Sequence, residues 1–94
     1  MSTWPLIVGI AGQSLVFRDQ FTAGSRGSGI VIQDEHATGE HAVFRPGSNG
    51  WTVEDLGSTN GTWLNGARIW GPRVLCKGDQ VRIGHTVLTV IPAG

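Results

Sequence analysis

The sequence predicts an all-β sandwich of about ten or eleven short strands in two twisted sheets, on three observations. Short β-rich runs alternate with turn signals, which fifteen glycines and four prolines supply. No stretch repeats its apolar residues at helical spacing. Two Asn-Gly pairs, Asn60-Gly61 and Asn65-Gly66, enclose only Thr62, Trp63 and Leu64. Both residue types accept positive φ at little cost, so the pairs mark tight turns around a very short strand anchored by Trp63.

The elements follow in order. A first strand covers 6–10 and ends at Gly12; segments 14–17 and 21–23 come next, parted by Arg18-Asp19. The glycine-dense segment 24–29 reads as a flexible hairpin connection. Its backbone N–H groups are able to cradle phosphate, but no Gly-Lys-Ser/Thr follows and it opens onto a strand, so it is not a P-loop. Ile30-Val31-Ile32 is a β-branched triplet suited to a buried strand. Polar residues 33–40 lead into a strand at 41–44, and the cluster 46–50 turns the chain into 51–55. There Trp51 and Val53 alternate with Thr52 and Glu54, one face in and one out. After the central stretch come 67–69, a break at Gly71-Pro72, a turn at 77–79, and strands at 80–84 and 86–91.

Composition narrows the function. Ninety-four residues make one domain, 1–94, with a modest core. Seven basic and seven acidic residues cancel, so the charge footprint of a nucleic-acid or anionic-membrane binder is missing. Cys76 stands alone, which excludes a disulfide framework and a thiolate metal cluster. Met1-Ser2-Thr3-Trp4-Pro5 does not begin a secretory leader, and no apolar run approaches a membrane span. A cytoplasmic protein is expected, and the sequon Asn60-Gly61-Thr62 is then accidental.

Catalysis finds no support in the residues. No carboxylates pair, no serine sits in a nucleophile elbow, and His36, His41 and His85 lack metal-ligand spacing. No metal or cofactor is expected. His41 opens an apolar strand, where a ring that braces loop backbone is the default role. Trp4, Trp51, Trp63 and Trp70 lack interleaved basic residues, so core and edge packing is expected of them rather than base stacking. Trp70, beside Gly71-Pro72, is expected to be exposed.

The run Asp55-Leu56-Gly57-Ser58-Thr59-Asn60-Gly61-Thr62-Trp63-Leu64-Asn65-Gly66 resembles the signature of forkhead-associated (FHA) domains. The likeness continues through Ala67-Arg68-Ile69 and the stretch from Leu75 to Gly84. Upstream, Ile30-Val31-Ile32 and Thr38-Gly39-Glu40-His41-Ala42 are similar to the family's strand and Ser-x-x-His segment. The resemblance implies an eleven-stranded β-sandwich whose loops at one end bind phosphothreonine peptides. A phosphate of about −1.5 to −2 charge suits an arginine, hydroxyls and backbone donors on a rigid scaffold.

Carried over residue by residue, the resemblance implies a phosphopeptide set of Arg26, Thr38, Ser58, Thr59, Asn60 and His36. It implies a loop framework of His41, Gly57, Gly61 and Asn65. The family's arginine falls on Arg26 or on the non-basic Gly24 or Ser25. Thr38 keeps the hydroxyl of the family's serine, Gly39 replaces a residue that is often basic or polar, and Glu40 adds a negative charge. His36 falls where the family often reads side chains beyond the phosphothreonine. The implied function is a non-enzymatic phosphothreonine reader, an adaptor or competitor in Ser/Thr-kinase signalling. The alternative is a degenerate module that associates with a protein partner, or with itself, without phosphate. A monomer or weak homodimer is expected. Such modules usually sit beside kinase, transcription or secretion domains, and one alone caps, bridges or competes.

Overall fold

A computed structural model describes residues 4–27 and 29–91. Residues 1–3, on which the reading of the N-terminus rests, and Ser28 of the glycine-dense segment lie outside the described residues, as do 92–94. Eleven strands and no helix form among those described: β1 (Leu6–Ile10), β2 (Gln13–Phe17), β3 (Phe21–Gly24), β4 (Gly29–Val31), β5 (Ala42–Arg45), β6 (Thr52–Asp55), β7 (Thr62–Leu64), β8 (Ala67–Arg68), β9 (Arg73–Val74), β10 (Gln80–Ile83) and β11 (Thr86–Ile91). They build a six-stranded sheet, ordered β2-β1-β11-β10-β7-β8, and a five-stranded sheet, ordered β4-β3-β5-β6-β9. The all-β sandwich read from the sequence is therefore the fold.

Alternation along the strands makes the core. Leu6, Val8, Val81, Ile83, Leu88 and Val90 from the first sheet meet Phe21, Ala23, Phe44 and Val53 from the second, all buried. Phe17, Phe21 and Phe44 stack in series, with ring centroids 3.6 and 4.7 Å apart, and Trp51 closes the row 6.0 Å from Phe21. Trp51 is fully buried, and its indole N–H donates to the Trp4 carbonyl at 2.7 Å. The in-out reading of Trp51 and Val53 thus holds.

Three expectations are corrected. The segment after β3 is no hairpin: β4 lies parallel to β3, with Thr22 opposite Gly29 and Gly24 opposite Val31. Positive φ at Gly27 and Gly29 lets the chain reverse within that short distance. In β7, Thr62 and Leu64 point into the core while Trp63 lies on the other face, so the strand is anchored by its two neighbours. Finally, the Gly71-Pro72 break is followed by a further strand, β9, which no alternation signals because Arg73 and Val74 are both exposed.

The second Asn-Gly pair behaves as its sequence predicts. Asn65 and Gly66 take φ of 51° and 88° between paired Leu64 and Ala67, the two positive values of a type I′ hairpin. Asn65 also donates to Asp79 and accepts from the Gln80 amide, tying this hairpin to the turn before β10.

Candidate functional site

Three connections converge at one end of the sandwich: the β3–β4 connection, the β4–β5 connection and the β6–β7 loop. The first two run side by side, with the Ser25 amide bonded to the Thr38 carbonyl at 3.1 Å and the Arg26 amide to the Gly39 carbonyl at 3.2 Å. Gly24 permits that approach, since a Cβ there would stand 2.7 Å from both the Thr38 carbonyl oxygen and the His41 amide.

His41 joins the second connection to the third. Its ring is fully buried, Nδ1 accepts from the Thr38 amide at 3.0 Å, and Nε2 lies 2.8 Å from the Gly61 carbonyl. An acceptor at Nδ1 and a carbonyl at Nε2 select the neutral tautomer with its proton on Nε2. The ring thereby fixes the spacing of two loops, the bracing role that the sequence suggested.

The β6–β7 loop is organised by Asp55. One carboxylate oxygen accepts from the hydroxyls of Ser58 (2.5 Å) and Thr62 (2.7 Å), and the other from the amides of Gly57 and Ser58, both at 3.0 Å. Burial alone would raise the carboxyl's pKa. The Ser58 and Thr62 hydroxyls and the Ser58 amide outweigh it, and the pKa lies below the ordinary aspartate value. Gly57 and Gly61 take positive φ and let the loop close on itself.

Ser58 differs from its expected place on the peptide-facing side. Its side chain is buried, donating its one proton to Asp55 and accepting the Gly61 amide at 2.9 Å, so the hydroxyl holds the loop and has no proton left to donate to a ligand. Thr59 and Asn60 remain exposed at the tip. The Thr59 amide makes a long 3.4 Å bond to the Thr38 hydroxyl, and the Asn60 side-chain amide donates to the His36 carbonyl at 3.0 Å. Asn60 is thus tied down through its nitrogen, and its side-chain oxygen has no partner among the described residues.

Arg26 is the cation of the rim. It is exposed, and its guanidinium lies over the backbone of Gly39: a Cβ on Gly39 would stand 2.9 Å from Arg26 Nε. Among the described residues no carboxylate comes within ion-pair distance of it. Glu40 extends toward Gly27 instead, where a Cβ would lie 3.5 Å from its carboxylate. Gly39, which stands where the resemblance implies an often basic or polar residue, supplies the bare backbone on which Arg26 rests.

Beside this rim lies a cleft of about 270 Å³ lined by His36, Asn60, Trp63, Arg82, Gly84 and His85. Arg82 stacks on Trp63, 4.9 Å from the ring centre, and donates to the Gly84 carbonyl. Sequence reasoning missed this partnership, because register alone places Arg82 opposite Trp63. It missed Asp55 as well, although an aspartate three residues before a serine signals a side-chain-capped turn. Trp70 is exposed as expected, at 81%, with the Arg68 guanidinium 4.4 Å above its ring.

Comparison with known proteins agrees with this fold. The family model for the FHA domain matches residues 18–84. FHA domain-containing protein FhaB of Mycolicibacterium smegmatis is 43% identical over 65 residues, which cover 69% of this chain and 42% of FhaB. Glycogen accumulation regulator GarA of Mycobacterium tuberculosis is 36% identical over 76 residues, 79% of this chain and 46% of GarA. The chain therefore spans less than half the length of either relative. Among solved structures, one from a structural and functional analysis of phosphothreonine-dependent FHA domain interactions superposes with a TM-score of 0.86 at 23% identity, covering 97% of this chain and 99% of its own. The chain belongs to the FHA domain family.

Proposed function

We propose that this chain is a phosphothreonine-peptide recognition module that binds its ligand without turning it over and acts as an adaptor or competitor in Ser/Thr-kinase signalling in the cytoplasm. The observation that carries this reading is the state of Arg26: an exposed guanidinium, unpaired with any described carboxylate, seated over the backbone of Gly39. A phosphate at that rim would meet one fixed charge, the hydroxyl of Thr38 and the amide of Thr59. Asn60, held by its nitrogen, would offer its side-chain oxygen to a peptide N–H. His36 would meet residues beyond the phosphothreonine.

The relatives support the reading at the level of family. The neighbouring fold comes from a study of phosphothreonine-dependent interactions, and GarA is named as a regulator. The test is an anisotropy titration with matched peptides carrying threonine or phosphothreonine. Preference for the phosphorylated form is expected, and equal affinity for the two overturns the proposal.

A second reading, phosphate-independent association, rests on Trp70. Its exposed ring and Arg68 border a recess of about 320 Å³ that Glu54, Gly57 and Gly71 also line. A partner retained after phosphatase treatment and lost in Trp70→Ala would favour it.

A further inference from the structure

Asp34, His36 and His85 are scattered through the sequence, yet the fold brings them together: one ligating atom from each lies within 4.8 Å of the others. The backbones of the two histidines are held in place. Asp34 accepts the amide of His36 on one carboxylate oxygen at 2.8 Å and the amide of His85 on the other at 2.7 Å. The same carboxylate therefore holds both histidines by their backbones. Gly84 allows this closeness, since a Cβ there would stand 2.6 Å from Asp34 Oδ2. The two imidazoles meet edge to face, with centroids 4.9 Å apart. Among the described residues no other group of three histidine, cysteine or acidic side chains shares this arrangement.

We propose that Asp34, His36 and His85 form a three-ligand site for a first-row transition ion, Zn²⁺ foremost, that clasps the β4–β5 connection to the β10–β11 turn. Two imidazole nitrogens and one carboxylate suit a borderline ion and not the oxygen-only preference of Ca²⁺ or Mg²⁺. Zinc–nitrogen bonds of about 2.0–2.1 Å in tetrahedral geometry need donor atoms about 3.3 Å apart. The ligating atoms, within 4.8 Å as they stand, would close to that spacing by side-chain rotation of the two histidines, and each Asp34 oxygen keeps a second lone pair for the ion. His36 and His85 also line the cleft beside the peptide rim, which leaves the fourth coordination position open to solvent or to a donor arriving in the cleft. Arg82, the cation sharing that cleft, is already committed to the Trp63 face and the Gly84 carbonyl.

The site would reach the rim through one bond, from the Asn60 side chain to the His36 carbonyl. The inference itself stands apart from the phosphopeptide reading, because its test uses metal and protein alone. The exposed thiol of Cys76 is removed first, by Cys76→Ser, so that it cannot compete. Calorimetric titration with Zn²⁺ is then expected to show one saturable micromolar site per chain, and Co²⁺ to give the visible absorption of a tetrahedral N,O site. His85→Ala keeps the backbone amide that Asp34 uses, so the fold should survive while affinity falls at least about tenfold. Asp34→Asn and His36→Ala are expected to do the same. Absence of a 1:1 site overturns the proposal, and so does binding that all three variants leave unchanged.

Discussion

The two loops that meet across His41 use their polar groups in opposite ways. In the β6–β7 loop, Asp55, Ser58, Thr62 and the Gly57 and Gly61 amides satisfy one another, while the polar side chains of Thr59 and Asn60 at the tip are exposed. In the Arg26–Gly39 pairing the backbone is satisfied, but the guanidinium above it has no anionic partner among the described residues. The first loop is a frame whose polarity is internal, and the second is a surface whose charge is left over. The contrast teaches that a row of polar residues in a binding motif divides between holding shape and meeting ligand, and only the hydrogen-bond partners tell which is which.

The largest effect should come from breaking the frame. Asp55→Ala leaves the hydroxyl of fully buried Thr62 without its acceptor and frees Ser58 and two amides. A loss of about 3 kcal/mol is expected, seen as a melting temperature lower by about 12–24 °C. The pH dependence sharpens the same point. Asp55 has a lower pKa folded than unfolded, so its stabilisation is fully present above the unfolded aspartate value near pH ~3.9. It is lost as pH falls through the folded value below that. Acid melting curves of Asp55→Asn should therefore be flatter than wild type below about pH 4.

Charge left over predicts the reverse profile. Arg26→Ala should lower phosphopeptide affinity about 10- to 100-fold, the value of one charge-assisted contact, while stability moves by less than about 0.5 kcal/mol. A large melting shift would place Arg26 in the frame. Gly39→Ala tests the seat itself: the added methyl pushes Arg26 aside, and affinity for the phosphorylated peptide should fall a few-fold with little change in melting. The smallest effect is expected away from both loops. Arg45 and Glu54 form a half-exposed cross-strand pair at 2.6 Å, and Arg45→Ala should cost less than about 0.5 kcal/mol in denaturant unfolding.

Much of this was legible in the residues. Alternation at Trp51 and Val53, the Asn65-Gly66 hairpin and the bracing His41 follow from local pattern and turn chemistry. Ser58 was not legible in the same way, because the sequence shows a hydroxyl in a polar loop and not its direction. Nor was the meeting of Asp34 with His85, which depends on a pairing between a connection and a turn far apart in the chain. The parallel β3–β4 pair escaped for a related reason: glycine announces freedom of the backbone but not the path that it takes.

The stapling of the rim by His41, Thr38 and Asn60 bears on kinetics. A surface already in its final shape has little rearrangement left to make when a ligand arrives. Encounter should then be limited by diffusion and by the pull of opposite charge, and slowed by added salt. Sequence variants of a peptide should differ chiefly in how long they stay.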